Sequence, residues 1–170
     1  MPIYSYGIKA IRTSDIVTAT GLPVGLTNVG EVYEESAEFT QEDPETTDHR
    51  SEFKDDPIVT IQRKGLKQVV FMLMDTSAAN CLKWLGGTVV EVTDEPDQWE
   101  EPDTTPQIFQ ALEFEFEDGS IYGIRRGKVS AKVIPAPTYT GMTMLEVSIR
   151  PLAPIVTGLK AVYKRDPIVV

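Results

Sequence analysis

Apolar and polar residues alternate along much of this chain, which is the pattern of β-strands that bury one face. The clearest run is LEFEFE at residues 112–117, and Asp118-Gly119 directly after it is a hairpin-turn signal. Further strands are predicted at residues 2–12, 58–64, 69–74, 88–93, 121–126, 128–134, 142–150 and 159–164. Many short strands separated by turn residues predict a mainly β protein, a β-sandwich or barrel.

One helix is predicted, over about residues 76–85. Asp75 is the candidate N-cap, because its carboxylate can accept a hydrogen bond from a free backbone N–H group. An apolar stripe at helical spacing follows, made of Ala78, Cys81, Leu82 and Leu85. Gly86 then ends the helix. The strand at residues 69–74 is apolar on both faces, so we expect the helix to cover one of them.

Polar segments interrupt the strand pattern in two places. Residues 41–57 are predicted to form a long polar loop, and residues 94–106 a second, acidic one. Residues 32–40, just before the first loop, fit either a strand or a short helix. A long loop in a compact domain is typically functional or disordered. We expect residues 41–57 to be mobile in an isolated subunit, with Phe53 as the side chain that docks on a neighbour.

The composition is that of one globular domain. The chain has 170 residues, of which 41% are hydrophobic and 25% charged, enough for a single domain with a sizeable core. There is no apolar run of the length that spans a bilayer, and the N-terminal residues lack the pattern of a secretory signal. Cys81 is the single cysteine and cannot form an internal disulfide, so a buried thiol is expected.

The net charge of −10 is unevenly distributed. Residues 31–57 hold eleven acidic side chains against Arg50 and Lys54, and residues 94–103 hold six with no basic residue. The strand-forming remainder is mildly basic. This asymmetry predicts contact between acidic segments and a basic surface of another subunit.

Catalytic chemistry is not predicted. His49 is the only histidine, so a hydrolase would have to depend on it, yet it lies in a polar segment far in sequence from Cys81. Asp94, Asp97 and Asp103 lack the ligand spacing and glycine of an EF-hand calcium loop. The sequence therefore predicts no enzyme, no metal and no cofactor.

The layout resembles a known family. GEVYEESAEFTQEDPETTDHRSEFKDDP (30–57), followed by a strand, DTSAANCLKWLGG (75–87) and a β-rich remainder, is similar to phage or prophage structural proteins. Strands throughout, one inserted helix and a long polar segment resemble the tail tube proteins of long-tailed bacteriophages. Those proteins share their fold with the tube protein of type VI secretion systems. The resemblance covers most of the chain, as a single domain over residues 1–170.

The resemblance implies a structural role. It implies hexameric rings stacked head to tail around a channel through which DNA passes non-specifically, with other tail proteins as partners and no membrane. It implies localisation in the virion tail, and in the bacterial cytoplasm during assembly. The long loop would reach the next ring, while the 94–103 insert departs from the family pattern.

Two groups of residues are the candidate sites. The predicted assembly interface consists of Glu42, Asp43, Glu45, Asp48 and Phe53, facing Arg125, Arg126 and Lys128. An acidic lumen would repel a DNA backbone and let it slide. Its candidate lining is Glu113, Glu115 and Glu117, although alternation alone equally fits a solvated outer face.

An alternative is a monomeric β-barrel that binds a small ligand or a carbohydrate. Such a protein should hold aromatic side chains, such as Trp84 or Trp99, in a pocket. For Trp84 the other interpretation is core packing at the end of the helix. Trp99, flanked by acids, would instead be an interface anchor.

Overall fold

The computed structural model describes residues 5–16, 20–91, 93 and 95–167. The strands in chain order are β1 (Ile8–Ser14), β2 (Thr27–Asn28), β3 (Glu38–Gln41), β4 (Glu45–Ser51), β5 (Lys54–Arg63), β6 (Lys67–Leu73), β7 (Thr88–Val90), β8 (Gln98–Glu100), β9 (Ile108–Phe116), β10 (Ile121–Ile134), β11 (Met144–Pro151) and β12 (Val162–Arg165). The helix α1 spans Ala78–Leu85. Within these described residues, the predicted mainly β fold with a single helix is confirmed.

The main sheet is antiparallel and curls on itself. Its strand order is β2-β1-β9-β10-β11-β6-β3, with β12 paired to β10. The segment 29–33 joins its two edges, because Val29 N–H donates to Ile11 O (3.0 Å) and Tyr33 N–H donates to Met72 O (2.8 Å). Phe39 of β3 also meets Phe114 of β9 edge to face at 4.8 Å, although these strands are far apart in the strand order. The sheet therefore wraps into a barrel around one core.

The core is formed by the inward faces of the strands. Ile11, Val69, Phe71, Leu73, Leu112, Phe114, Ile124, Val129, Leu145, Val147 and Ile149 are buried together with Trp84. In β9 the predicted alternation of apolar and acidic side chains is observed. Leu112 and Phe114 face this core, and Glu115 lies on the opposite face. Burial of this apolar area is the dominant stabilising term of the subunit.

The helix begins later than predicted. Ser77, not Asp75, is the N-cap, and its hydroxyl accepts from Asn80 N–H at 3.4 Å. Asp75 instead accepts from Ser77 N–H at 2.9 Å, so it fixes the turn that precedes the cap. The C-terminus is as predicted, with Gly86 at a φ of 75° and its N–H donating to Leu82 O.

The buried side of α1 also differs from the predicted stripe. Cys81 and Trp84 are its buried residues, whereas Leu82 is largely exposed. Trp84 meets Phe71 edge to face at 6.0 Å, so the core-packing interpretation of this tryptophan is correct. The indole is the larger apolar group, and burying it rather than Leu82 sets the rotation of the helix about its axis.

The two predicted polar loops both contain strands. In residues 41–57 the structure has β4 and the start of β5, which form their own two-stranded hairpin. In residues 94–106 it has β8, which pairs with β7 and places Trp99 opposite Val89. The segment 32–40 ends in β3, and its short-helix interpretation is wrong.

The part of the chain that the structure describes contains no helix with the length and apolar character of a membrane span.

Candidate assembly surfaces

The most distinctive surface is a long hairpin, residues 45–63, which we call the arm. It continues the β3–β6 ribbon in the same register, since Gln41 pairs with Lys67 and Glu45 with Arg63. Glu42 N–H still donates to Leu66 O (2.9 Å) at the root, where the arm leaves the barrel. Every residue of β4 and β5 is exposed except Ser51 at the end of β4. The arm therefore projects from the barrel and has no partner among the other described residues of the subunit.

The arm carries apolar side chains as well as charges. Phe53 at its tip is 92% exposed, and Ile58, Val59 and Ile61 are about half exposed. A lone two-stranded hairpin is only marginally stable in water, and its exposed apolar side chains would gain from burial against another molecule. The arm has the properties of an element that is completed by another molecule.

The predicted acidic interface residues lie along this projection. Glu45 and Asp48 are on β4, and Asp48 accepts from the Thr60 hydroxyl across the hairpin at 2.7 Å. Glu42 and Asp43 lie at the root, next to Gly65. The structure thus brings four of the predicted acids to one projecting element, together with Phe53.

His49 and Cys81 occupy unrelated places. His49 lies on the exposed arm opposite Val59, and Cys81 is buried on α1. Burial, with the nearby charge of Asp75, raises the pKa of the Cys81 thiol, which disfavours the reactive thiolate. Among the described residues, the acidic, histidine and cysteine side chains form no cluster of three that could ligate a metal ion.

The predicted basic residues are held locally on β10. Arg125 stacks over the Tyr163 ring at 4.5 Å and donates to Lys160 O at 2.7 Å. Arg126 stacks over Phe109 at 4.8 Å and donates to Ala153 O at 3.3 Å. Lys128 is exposed. Of these three cations, Lys128 is therefore the one whose charged group is most available to a partner.

The three candidate lumen residues differ sharply in exposure. Glu113 is 6% exposed and accepts from the Tyr163 hydroxyl. Glu115 forms ion pairs with Lys9, at 2.9 Å, and with Arg12. Glu117 is exposed. The acidic alternation therefore includes one buried carboxylate and one locally neutralised carboxylate, and Glu117 is the remaining candidate for a charged lining.

Glu115 should make the subunit sensitive to acid. Its hydrogen bond from Lys9, and secondarily the charges of Arg12 and Lys9, lower the pKa of this carboxyl. Because the folded-state pKa lies below the unfolded value, the stabilisation is present above about pH 4.3 and is lost as pH falls through the folded pKa. We expect Glu115→Gln to lower stability at neutral pH and to flatten the loss of stability on acidification. Urea denaturation from pH 3 to 7 measures this, with Glu117→Gln as the control; equal slopes in both variants would contradict it.

A groove at the root of the arm was not predicted. Its volume is about 480 Å³, and Leu66, Tyr122, Pro151 and Val162 form an apolar floor. Four lysines lie around this floor: Lys64, Lys67, Lys160 and Lys164. We call it the lysine groove. The lysines come from two segments nearly a hundred residues apart, which meet because β12 pairs with β10, so no local sequence signal marks them.

Comparison with known proteins gives no family assignment. No protein-family model matches the sequence, and no curated protein matches it significantly.

Proposed function

We propose that the chain is a structural subunit of a phage or prophage-derived tail tube. In this proposal subunits self-assemble into rings, six to a ring, that stack head to tail around a channel for DNA. The observation that carries the proposal is the arm. It exposes Phe53 and three aliphatic side chains on a hairpin that has no partner in the part of its own subunit that the structure describes, and burial against a second copy would supply one.

The arm also offers a route to a filament. It projects from one part of the barrel, and where the surface that receives it in a second copy is a different patch, the contact is heterologous. Such a heterologous contact, repeated, builds rings or open filaments. A barrel of antiparallel strands with one helix also agrees with the fold that the resemblance implies.

The alternative, a monomeric ligand-binding barrel, has weaker support. That alternative predicts tryptophan side chains in a binding pocket. Trp84 is 1% exposed within the core, and the Trp99 indole N–H donates to Gly86 O at the end of α1 (2.8 Å). Both rings are therefore used in packing the subunit.

Association should depend on concentration and on salt. Size-exclusion chromatography with light scattering should give masses well above the 18.9 kDa of one chain as concentration rises. Charged arms approaching a second copy should associate faster at low salt, because charges beyond a Debye length of about 8 Å are screened at physiological salt. A particle that stays monomeric from micromolar to millimolar concentration would favour the ligand-binding alternative.

A further inference from the structure

The lysine groove carries an uncompensated positive charge. Lys64, Lys160 and Lys164 are exposed, and Lys67 is half-buried. None of the four lysines forms an ion pair with any acidic side chain in the part of the chain that the structure describes. Glu42 and Asp43 touch Gly65 through their backbone but do not line the groove. Cations around an apolar floor fit an acidic partner that also presents an apolar side chain.

The tip of the arm has this chemistry. Glu52, Asp55 and Asp56 lie within three residues of Phe53 along the chain, with Lys54 as the one cation in residues 52–56. Phe53 is almost fully exposed, so its ring is available as an anchor. An aromatic ring in an apolar pocket, with charged groups at the rim, is the usual composition of an interface hot spot.

We propose that the tip of one copy's arm docks in the lysine groove of a second copy. Phe53 lies on the Leu66 and Tyr122 floor, and the three tip carboxylates face the four lysines. The inference rests on the proposed function, for which it names the receiving surface. It also gives Arg125 a positioning role, because its hydrogen bond to Lys160 O holds one side of the groove.

The groove cannot be filled by the same copy. It lies at the root of the arm, and the ten residues of β5 separate root from tip. At about 3.3 Å per residue, the tip is roughly 30 Å from its own groove. Tip-to-root docking is therefore intermolecular, and where it is not reciprocal it leaves a free tip at one end and a free groove at the other. Successive copies would be displaced along the arm by roughly that length.

A charge exchange tests the pairing. The tip variant is E52K/D55K/D56K and the groove variant is K160E/K164E. Each alone places like charges in contact, so its self-association should weaken at least tenfold relative to the unchanged chain. Mixing the two variants should restore co-assembly, and a chain carrying both sets should assemble by itself. This rescue also shows that the variants are folded.

The matched control changes two cations elsewhere on the barrel. Lys132 on β10 and Arg150 on β11 are both exposed, and neither lines the groove. K132E/R150E makes the same charge change as the groove variant and should leave assembly within about twofold of the unchanged chain. If the control variant weakened assembly and K160E/K164E did not, docking would be assigned to the β10–β11 surface and the inference would be overturned.

The outcomes separate this inference from the proposed function. If the unchanged chain assembles and K160E/K164E assembles equally well, the groove inference fails and the tube proposal stands. If the unchanged chain never assembles, both fail. A gel-shift assay with duplex DNA tests the alternative that these lysines bind nucleic acid. DNA binding that K160E/K164E removes, with assembly unaffected, would make the groove a nucleic-acid site and overturn the inference.

Discussion

Replacing residues 43–65 by Asn-Gly should leave a folded subunit that no longer assembles. Glu42 and Leu66 are hydrogen-bonded neighbours in the β3–β6 ribbon, so a two-residue turn can join them without changing the barrel. Asn-Gly is the preferred sequence for such a hairpin turn. Because the arm contributes no residue to the core cluster, removing it should change the stability of the subunit by little. We expect complete loss of species larger than a monomer.

Chromatography with light scattering and urea denaturation, measured on the same sample, check this. A shortened chain that unfolds near the urea midpoint of the full chain and elutes as a monomer is the predicted result. Assembly that persists without the arm would show that other surfaces build the oligomer. A shortened chain that fails to fold would contradict the claim that the barrel folds without the arm.

Phe71→Ala and Phe53→Ala should have opposite consequences. Phe71 has no exposed surface and meets Trp84 and Phe114 edge to face, so its removal leaves a cavity at the centre of the core. A buried Phe→Ala change costs about 3–5 kcal/mol. The same change at Phe53 removes an exposed ring and should cost the subunit less than about 0.5 kcal/mol. Phe53→Ala should instead weaken association, because the aromatic anchor is lost.

Urea denaturation under dilute, non-assembling conditions separates the two effects, since oligomer formation would otherwise raise apparent stability. Light scattering at high concentration then measures association. Equal destabilisation by the two substitutions would contradict the assigned core. Normal association of Phe53→Ala would remove Phe53 from the interface.

Strands with one face in the core could be predicted from sequence, and so could most of β5 in the arm, but β4 could not. From Leu112 to Phe116 of β9 every second residue is apolar because the core selects those positions. In β4, ETTDHRS, neither face meets a core, so its polar side chains follow no alternation and resemble a loop. Backbone pairing with β5 makes it a strand, and a pattern of side-chain polarity does not report that pairing.

In the helix and the candidate site, too, some features could be predicted from the sequence and others could not. Gly86 marks the end of α1 because the requirement for a positive φ is local. Asp75 and Ser77 are both of residue types that cap helices and lie two positions apart, so the sequence pattern does not distinguish them. Burial of Glu113 depends on Tyr163, fifty residues later, and the lysine groove depends on the β10–β12 pairing. Properties that depend on contacts between residues far apart in the chain could not be predicted from the sequence.

Negative-stain electron microscopy of the purified chain, across a concentration series at low salt, tests the proposed tube most directly. We predict rings with a central hole, and stacks of rings that lengthen with concentration. The chain that lacks the arm should show neither under the same conditions. Fields of single compact particles at every concentration, with the full and the shortened chain indistinguishable, would contradict the tail tube proposal.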